Sequence, residues 1–139
     1  MRRTLRLVFF LFTVCCSVAF AATRLTREQY LATFADKNIS IDATKYNAAD
    51  IWTYVQTVPE SDYAGYSICW GYVPFVYRTS DGAYDHVYAS TRTQNAFLIV
   101  LKDNRSGKIY GHHLLDLNIE YGVKNSQQLS RNCGGRPDK

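Results

Sequence analysis

The stretch from Ile51 to Tyr77, IWTYVQTVPESDYAGYSICWGYVPFVY, constrains the fold more than any other part of the chain. It holds both tryptophans, a cysteine and a dense set of Tyr and Val residues, types that suit a pleated, half-buried surface. Ile51, Thr53, Val55 and Thr57 alternate with Trp52, Tyr54, Gln56 and Val58. Such alternation marks a strand with one covered face. Pro59 ends the run, having no N–H to give to a ladder. A second run, Gly65 to Val73, puts Tyr66, Ile68, Trp70 and Tyr72 on one side and Cys69 and Val73 on the other. The pattern predicts an opening pair of antiparallel strands, with a bulge or break at Pro74 before Phe75-Val76-Tyr77.

The rest of the chain continues in the same sense. Ser80-Asp81-Gly82-Ala83 is a turn between β-rich runs, and Tyr84 to Thr91 reads as a strand. Ala96 to Leu101 is almost wholly apolar, as expected of a strand covered on both faces. Asp103-Asn104-Arg105-Ser106-Gly107 reads as a hairpin loop, with Lys108 to Ile119 returning antiparallel. Upstream, Thr26-Arg27-Glu28-Gln29 has the spacing of a capping box, and Tyr30, Leu31 and Phe34 then share one helical face. That short helix is expected to end near Asp36 to Asn38. Asp42 can cap a second one over Ala43 to Ala49. The expected fold is mostly β: an antiparallel meander of about five or six strands, rolled over a small core, after one or two short helices.

The first residues belong to targeting. Arg2, Arg3 and Arg6 precede an apolar run from Leu7 to Phe20, and Ala19-Phe20-Ala21 is a small-x-small cleavage site. This is the layout of a secretory signal peptide over residues 1–21, too short for the roughly 20 apolar residues of a spanning helix. Residues 22–139 then form one secreted domain with no membrane segment. The formal charge of +4 shrinks on cleavage, because three of the sixteen basic residues leave and thirteen face twelve acidic ones. A nucleic-acid partner is not expected of so balanced a chain. Cys15 and Cys16 leave with the leader. Cys69 and Cys133 remain, an even pair in an oxidising compartment, and read as one internal disulfide. Free thiols or a bridge to another chain are the alternatives. Asn38-Ile39-Ser40 and Asn104-Arg105-Ser106 are candidate glycosylation sites.

No residues stand out for catalysis. His112 and His113 are neighbours in an expected strand and so face opposite sides, which forbids one shared metal; His86 has no matching ligands in sequence. No serine sits in a G-x-S-x-G setting and no phosphate-binding glycine loop is present. The expectation is a non-enzyme with no cofactor and no metal. What remains is aromatic surface: eleven tyrosines and two tryptophans, all after the leader. Rings with polar tips suit ligand cavities and protein interfaces. Tyr54, Trp70, Tyr72 and Tyr88 are the candidates for a binding face.

Asp42-Ala43-Thr44-Lys45-Tyr46-Asn47 followed by Asp50-Ile51-Trp52-Thr53-Tyr54 resembles the start of the first barrel strand in tick salivary lipocalins. In that family a short helix leads to a strand reading like I-W-x-Y, and a turn leads to a strand bearing the first cysteine, here Cys69. A leader, sequons and a cysteine near the C-terminus, here Cys133, fit the same pattern. The resemblance covers roughly Asp42 to Cys69. It implies a lipocalin-like barrel, complete or incomplete, that sequesters a small apolar or aromatic host mediator in saliva. Barrels of this family are longer, with eight strands, and the C-terminal Cys-Asp and Glu-Leu-Trp pattern of amine binders is absent here. Only Cys69, Cys133 and Trp52 have counterparts, so no ligand residue is carried over. The alternative is a secreted protein-interaction module that engages a host protease or complement component. Gln56-Thr57-Val58 is faintly similar to the Q-x-V-x-G loop of cystatins, with Glu60 where glycine belongs.

Overall fold

The computed structural model describes residues 22–122 and 133–137. The expected leader, with Cys15 and Cys16, and most of the polar tail lie outside the described residues. The elements in order are β1 (Thr23–Arg24), α1 (Arg27–Thr33), β2 (Asn38–Ile41), α2 (Ala49–Thr57), β3 (Phe75–Thr79), β4 (Tyr84–Ser90), β5 (Ala96–Asp103), β6 (Ile109–Asp116) and α3 (Leu117–Tyr121). One sheet holds all six strands in the order β1-β6-β5-β4-β3-β2. From β2 to β6 it is an antiparallel meander, and β1 adds to β6 in parallel. The fold is therefore mostly β, with a mixed sheet that stays open between the edge strands β1 and β2.

Several elements follow directly from local chemistry. Thr26 and Gln29 make the reciprocal capping box that starts α1. The helix stops at Thr33, short of the expected end. Asp81 Oδ1 accepts from the Ala83 N–H and the Thr79 hydroxyl, closing the β3–β4 turn. Asp103 does the same work in the β5–β6 loop, accepting from the Arg105 and Ser106 N–H groups. Asp42 caps a single 3-10 turn, Ala43–Lys45, in place of a longer second helix. The return strand ends earlier than Ile119, because the Asp116 carboxylate accepts from the Asn118 and Ile119 N–H groups and opens α3.

The opening strand pair is corrected. Ile51 to Thr57 lies within α2. Ile51 and Val55, four apart, are both fully buried, and Val58 continues the same side. That spacing satisfies a helical period as well as an alternating one, and packing against the sheet decides between them. Gly65 to Val73 is no continuous strand either. It touches other chain segments through two isolated bridges, Ile68 to Thr91 and Trp70 to Gly134. Gly65 and Gly71 both take positive φ, +78°, which turns the backbone out of a pleat. The short strands β1 and β2 carry no sequence signal of their own. β1 approaches so closely because Gly111 opposite it lacks a side chain: a Cβ there would strike the Thr23 carbonyl and the Leu25 side chain.

The alternation of the strands gives two covered faces. Under α2 lie Val76, Val87, Ala89, Leu98 and Val100, packed on Ile51, Val55, Val58 and Tyr63. Under α1 lie Tyr88, Ile99, Leu101 and Leu115, packed on Leu25 and Tyr30 with Phe34, Tyr77 and Phe97 beside them.

Candidate binding site

The four aromatic candidates fall on different sides of the molecule. Tyr54 projects from α2 onto β6. Its hydroxyl lies 2.5 Å from His112 Nδ1, and His112 Nε2 lies 2.8 Å from Asp62 Oδ2. Arg24 approaches the same carboxylate at 3.6 Å. A Tyr–His–Asp series has the order of a nucleophile, base and orienting acid. Here burial pushes the Tyr54 hydroxyl up to about 12, with the Asp62 charge adding to it. Burial lowers His112 against the pull of Asp62. The Tyr54 hydroxyl therefore keeps its proton and His112 favours the neutral ring; the series ties α2 and the following turn to β6.

Trp70 sits on the α2 side with Trp52, ring centroids 5.6 Å apart. The Cys69–Cys133 disulfide is formed, with Cα atoms 4.7 Å apart, and brings the tail beside Trp70. The Arg136 guanidinium then lies 5.7 Å over the Trp70 ring and pairs with Glu60 at 2.7 Å. Arg92, Tyr63 and Tyr66 complete an open, polar cavity of about 450 Å³. Tyr72 is half exposed after Gly71, with its backbone bonded to Cys69 and Ser90.

Tyr88 is on the other face, on β4, and belongs to a different cavity. Phe75, Tyr77, Tyr88, Phe97 and Leu115 of the sheet form its floor. Tyr30, Leu31 and Phe34 overhang it from α1 and its C-cap, and Leu117 and Glu120 of α3 close one end. The groove measures about 310 Å³. Its rings meet edge to face: Tyr88 with Tyr77 at 5.6 Å and with Phe97 at 5.8 Å. Inside, the Tyr30 and Tyr88 hydroxyls share a hydrogen bond of 2.9 Å. Glu120 is balanced by Arg27 at 3.6 Å and faces His113 Nε2 at 3.4 Å. Tyr30, Phe34, Phe75, Tyr77 and Phe97 were not among the sequence candidates. Tyr30 and Phe34 are four apart and Phe75 and Tyr77 two apart, so each pair announces a shared face. Their convergence across the chain has no local signal.

The histidines divide as alternation requires, His112 facing α2 and His113 facing α1. The Tyr30 ring stacks on His113 at 4.9 Å. His86 lies on the same face, fully buried, with the Phe34 ring perpendicular to it at 4.3 Å and Tyr30 at 5.7 Å. Neither His86 nitrogen has a hydrogen-bond partner among the described residues. Burial lowers its pKa to about 4, against a weaker opposite effect of Asp85, so the ring is neutral at physiological pH. No group of three or more His, Cys, Asp or Glu able to hold a metal occurs among the described residues. No helix among them is long and apolar enough to cross a membrane.

The two sequons differ. Asn38 begins the edge strand β2. Asn104 donates through Nδ2 to the Gly82 carbonyl at 3.1 Å and to the buried Asp85 carboxylate at 2.9 Å. Burial pushes that carboxylate up, but Arg78, Asn104 and Tyr46 bond to it and hold it below the usual range. A sugar on Asn104 would replace one of the two hydrogens donated there.

The chain matches no protein-family model, no curated protein and no solved structure. The reading of function rests on the residues themselves.

Proposed function

We propose that the protein is a secreted, non-enzymatic binder that sequesters a small apolar or aromatic molecule in the groove under α1. The observation that carries this reading is the convergence of six aromatic rings on one cavity of about 310 Å³, whose only carboxylate among the described residues is already paired. Such a volume is at the lower end for small-molecule sites, and an apolar lining with few polar groups is their usual make-up. Apolar solute transferred there leaves water at roughly 25 cal/mol per Å² of buried surface. The proposal extends the lipocalin-like reading to an open sheet, in which a helix rather than a far barrel wall covers the binding face. Secretion is part of it, carried by the leader-like residues 1–21.

A thermal-shift and calorimetric titration with naphthalene tests the reading. Binding to the folded state alone raises the melting temperature by mass action. Phe75→Ala, at a half-exposed lining position, is expected to weaken binding about tenfold, equivalent to 1.4 kcal/mol. Tryptophan emission is expected to stay constant, since Trp52 and Trp70 lie on the α2 side. No melting shift with any apolar aromatic would remove the groove as a binding site.

A further inference from the structure

We propose that His86 is the polar anchor of the groove and Phe34 the gate above it, so that the ligand is a planar, uncharged aromatic molecule bearing a hydroxyl. The inference rests on the groove being the binding site. Several polar groups around it already have partners. The Tyr30 and Tyr88 hydroxyls bond to each other. His113 meets Glu120, and Glu120 meets Arg27. His86 alone among them is fully buried with both ring nitrogens unpartnered among the described residues. A neutral imidazole carries one donor and one acceptor whichever tautomer it takes. Buried polar atoms of this kind are rare in native structures, and each asks for an explanation.

The position of His86 supplies one. It pairs across the sheet with Tyr77 on one side and Leu101 on the other. Tyr77, Tyr30 and Phe34 line the groove, and the Phe34 ring meets the imidazole in a T-shaped contact. Phe34 is the C-cap of α1, outside the regular helix, so its ring can turn without unwinding a turn of backbone. Turning it joins the groove to His86. A flat ring system then takes the place of the Phe34 ring against the sheet, and its hydroxyl meets the imidazole. A charged ligand is disfavoured, because among the described residues the groove's carboxylate already has its cation and no other charged side chain lines it.

The test compares naphthol with naphthalene, which share a ring system and differ by one hydroxyl. The native protein is expected to bind naphthol at least tenfold more tightly. His86→Phe fills the same space without nitrogens and is expected to bring the two affinities together by weakening naphthol alone. In the native protein, titration with naphthol is expected to shift the His86 imidazole nitrogen resonances, and naphthalene to leave them near their free positions; this measurement holds even where the variant fails to fold. Equal affinity of the native protein for both probes would overturn the anchor while leaving the groove as an apolar site. Undiminished naphthol binding by a folded His86→Phe would overturn it too. Binding of neither probe would remove the groove and the anchor together.

Discussion

On the side of the sheet under α2, strands β3 to β5 present Val76, Val87, Ala89, Leu98 and Val100. On the side under α1, strands β3 to β6 present Tyr77, His86, Tyr88, Phe97 and His113. Neighbouring residues on one strand thus serve opposite ends. Those aliphatic side chains fill space and ask for no partners, and the polar groups buried on the same side, Asp85 and His112, are already bonded to their neighbours; packing of that kind holds a domain together. The aromatic face carries hydroxyls and imidazoles that each need a partner, and it leaves a groove. Two sides of such different make-up are separated by one residue of register.

That contrast can be broken in graded ways. The largest effect is expected from the tail clamp on the α2 side. Reducing the disulfide, or Cys69→Ser, closes no loop of 64 residues in the unfolded chain and is expected to lower stability by about 4 kcal/mol in a denaturant melt. Affinity for naphthalene, measured where both forms are folded, should change little. Next, Leu98→Ala empties a fully buried site under α2 and should lower stability by about 3 kcal/mol while leaving probe affinity within twofold. An equal loss of binding would show that the two faces are one unit.

Acid acts on the other face. The unfolded His86 takes a proton near its ordinary 6.5, and the folded one only near 4. Stability is full at neutral pH and falls as pH drops from about 6.5 to about 4, by roughly 3 kcal/mol when complete. His112, also lowered by burial, adds a loss of the same sign. Melting temperatures across that range should fall less steeply in His86→Phe. The smallest effect concerns the lid alone. Thr26→Ala removes the α1 cap and should lower stability by about 1 kcal/mol, with amide exchange in α1 speeding up before that in β5.

Much of the meander was legible because its corners are chemical. Asp81-Gly82 and Asp103 to Gly107 can do little except turn, and the strands between them follow. The capping box at Thr26 is legible for the same reason: its hydrogen bonds close within four residues. Ile51 to Thr57 was misread as a strand because its apolar residues fit two periods at once. Only the bare aliphatic face of the sheet, assembled from residues 20 to 50 positions later, selects the helix. The aromatic groove was half legible. Tyr88 lies on it, but Tyr54, Trp70 and Tyr72 were separated from it by the helix and by the turn at Gly71. The Tyr30–Tyr88 hydroxyl pair spans 58 residues, and nothing local to either end announces it.

The parallel seam between β1 and β6 also sets an order of events. Thr23 and Arg24 are made before the other five strands, yet their place in the sheet is the bare edge left by Gly111. Until the final hairpin has been made and folded back, the leading end of the domain has nowhere to dock. The earliest strand in the chain is thus among the last to find its seat.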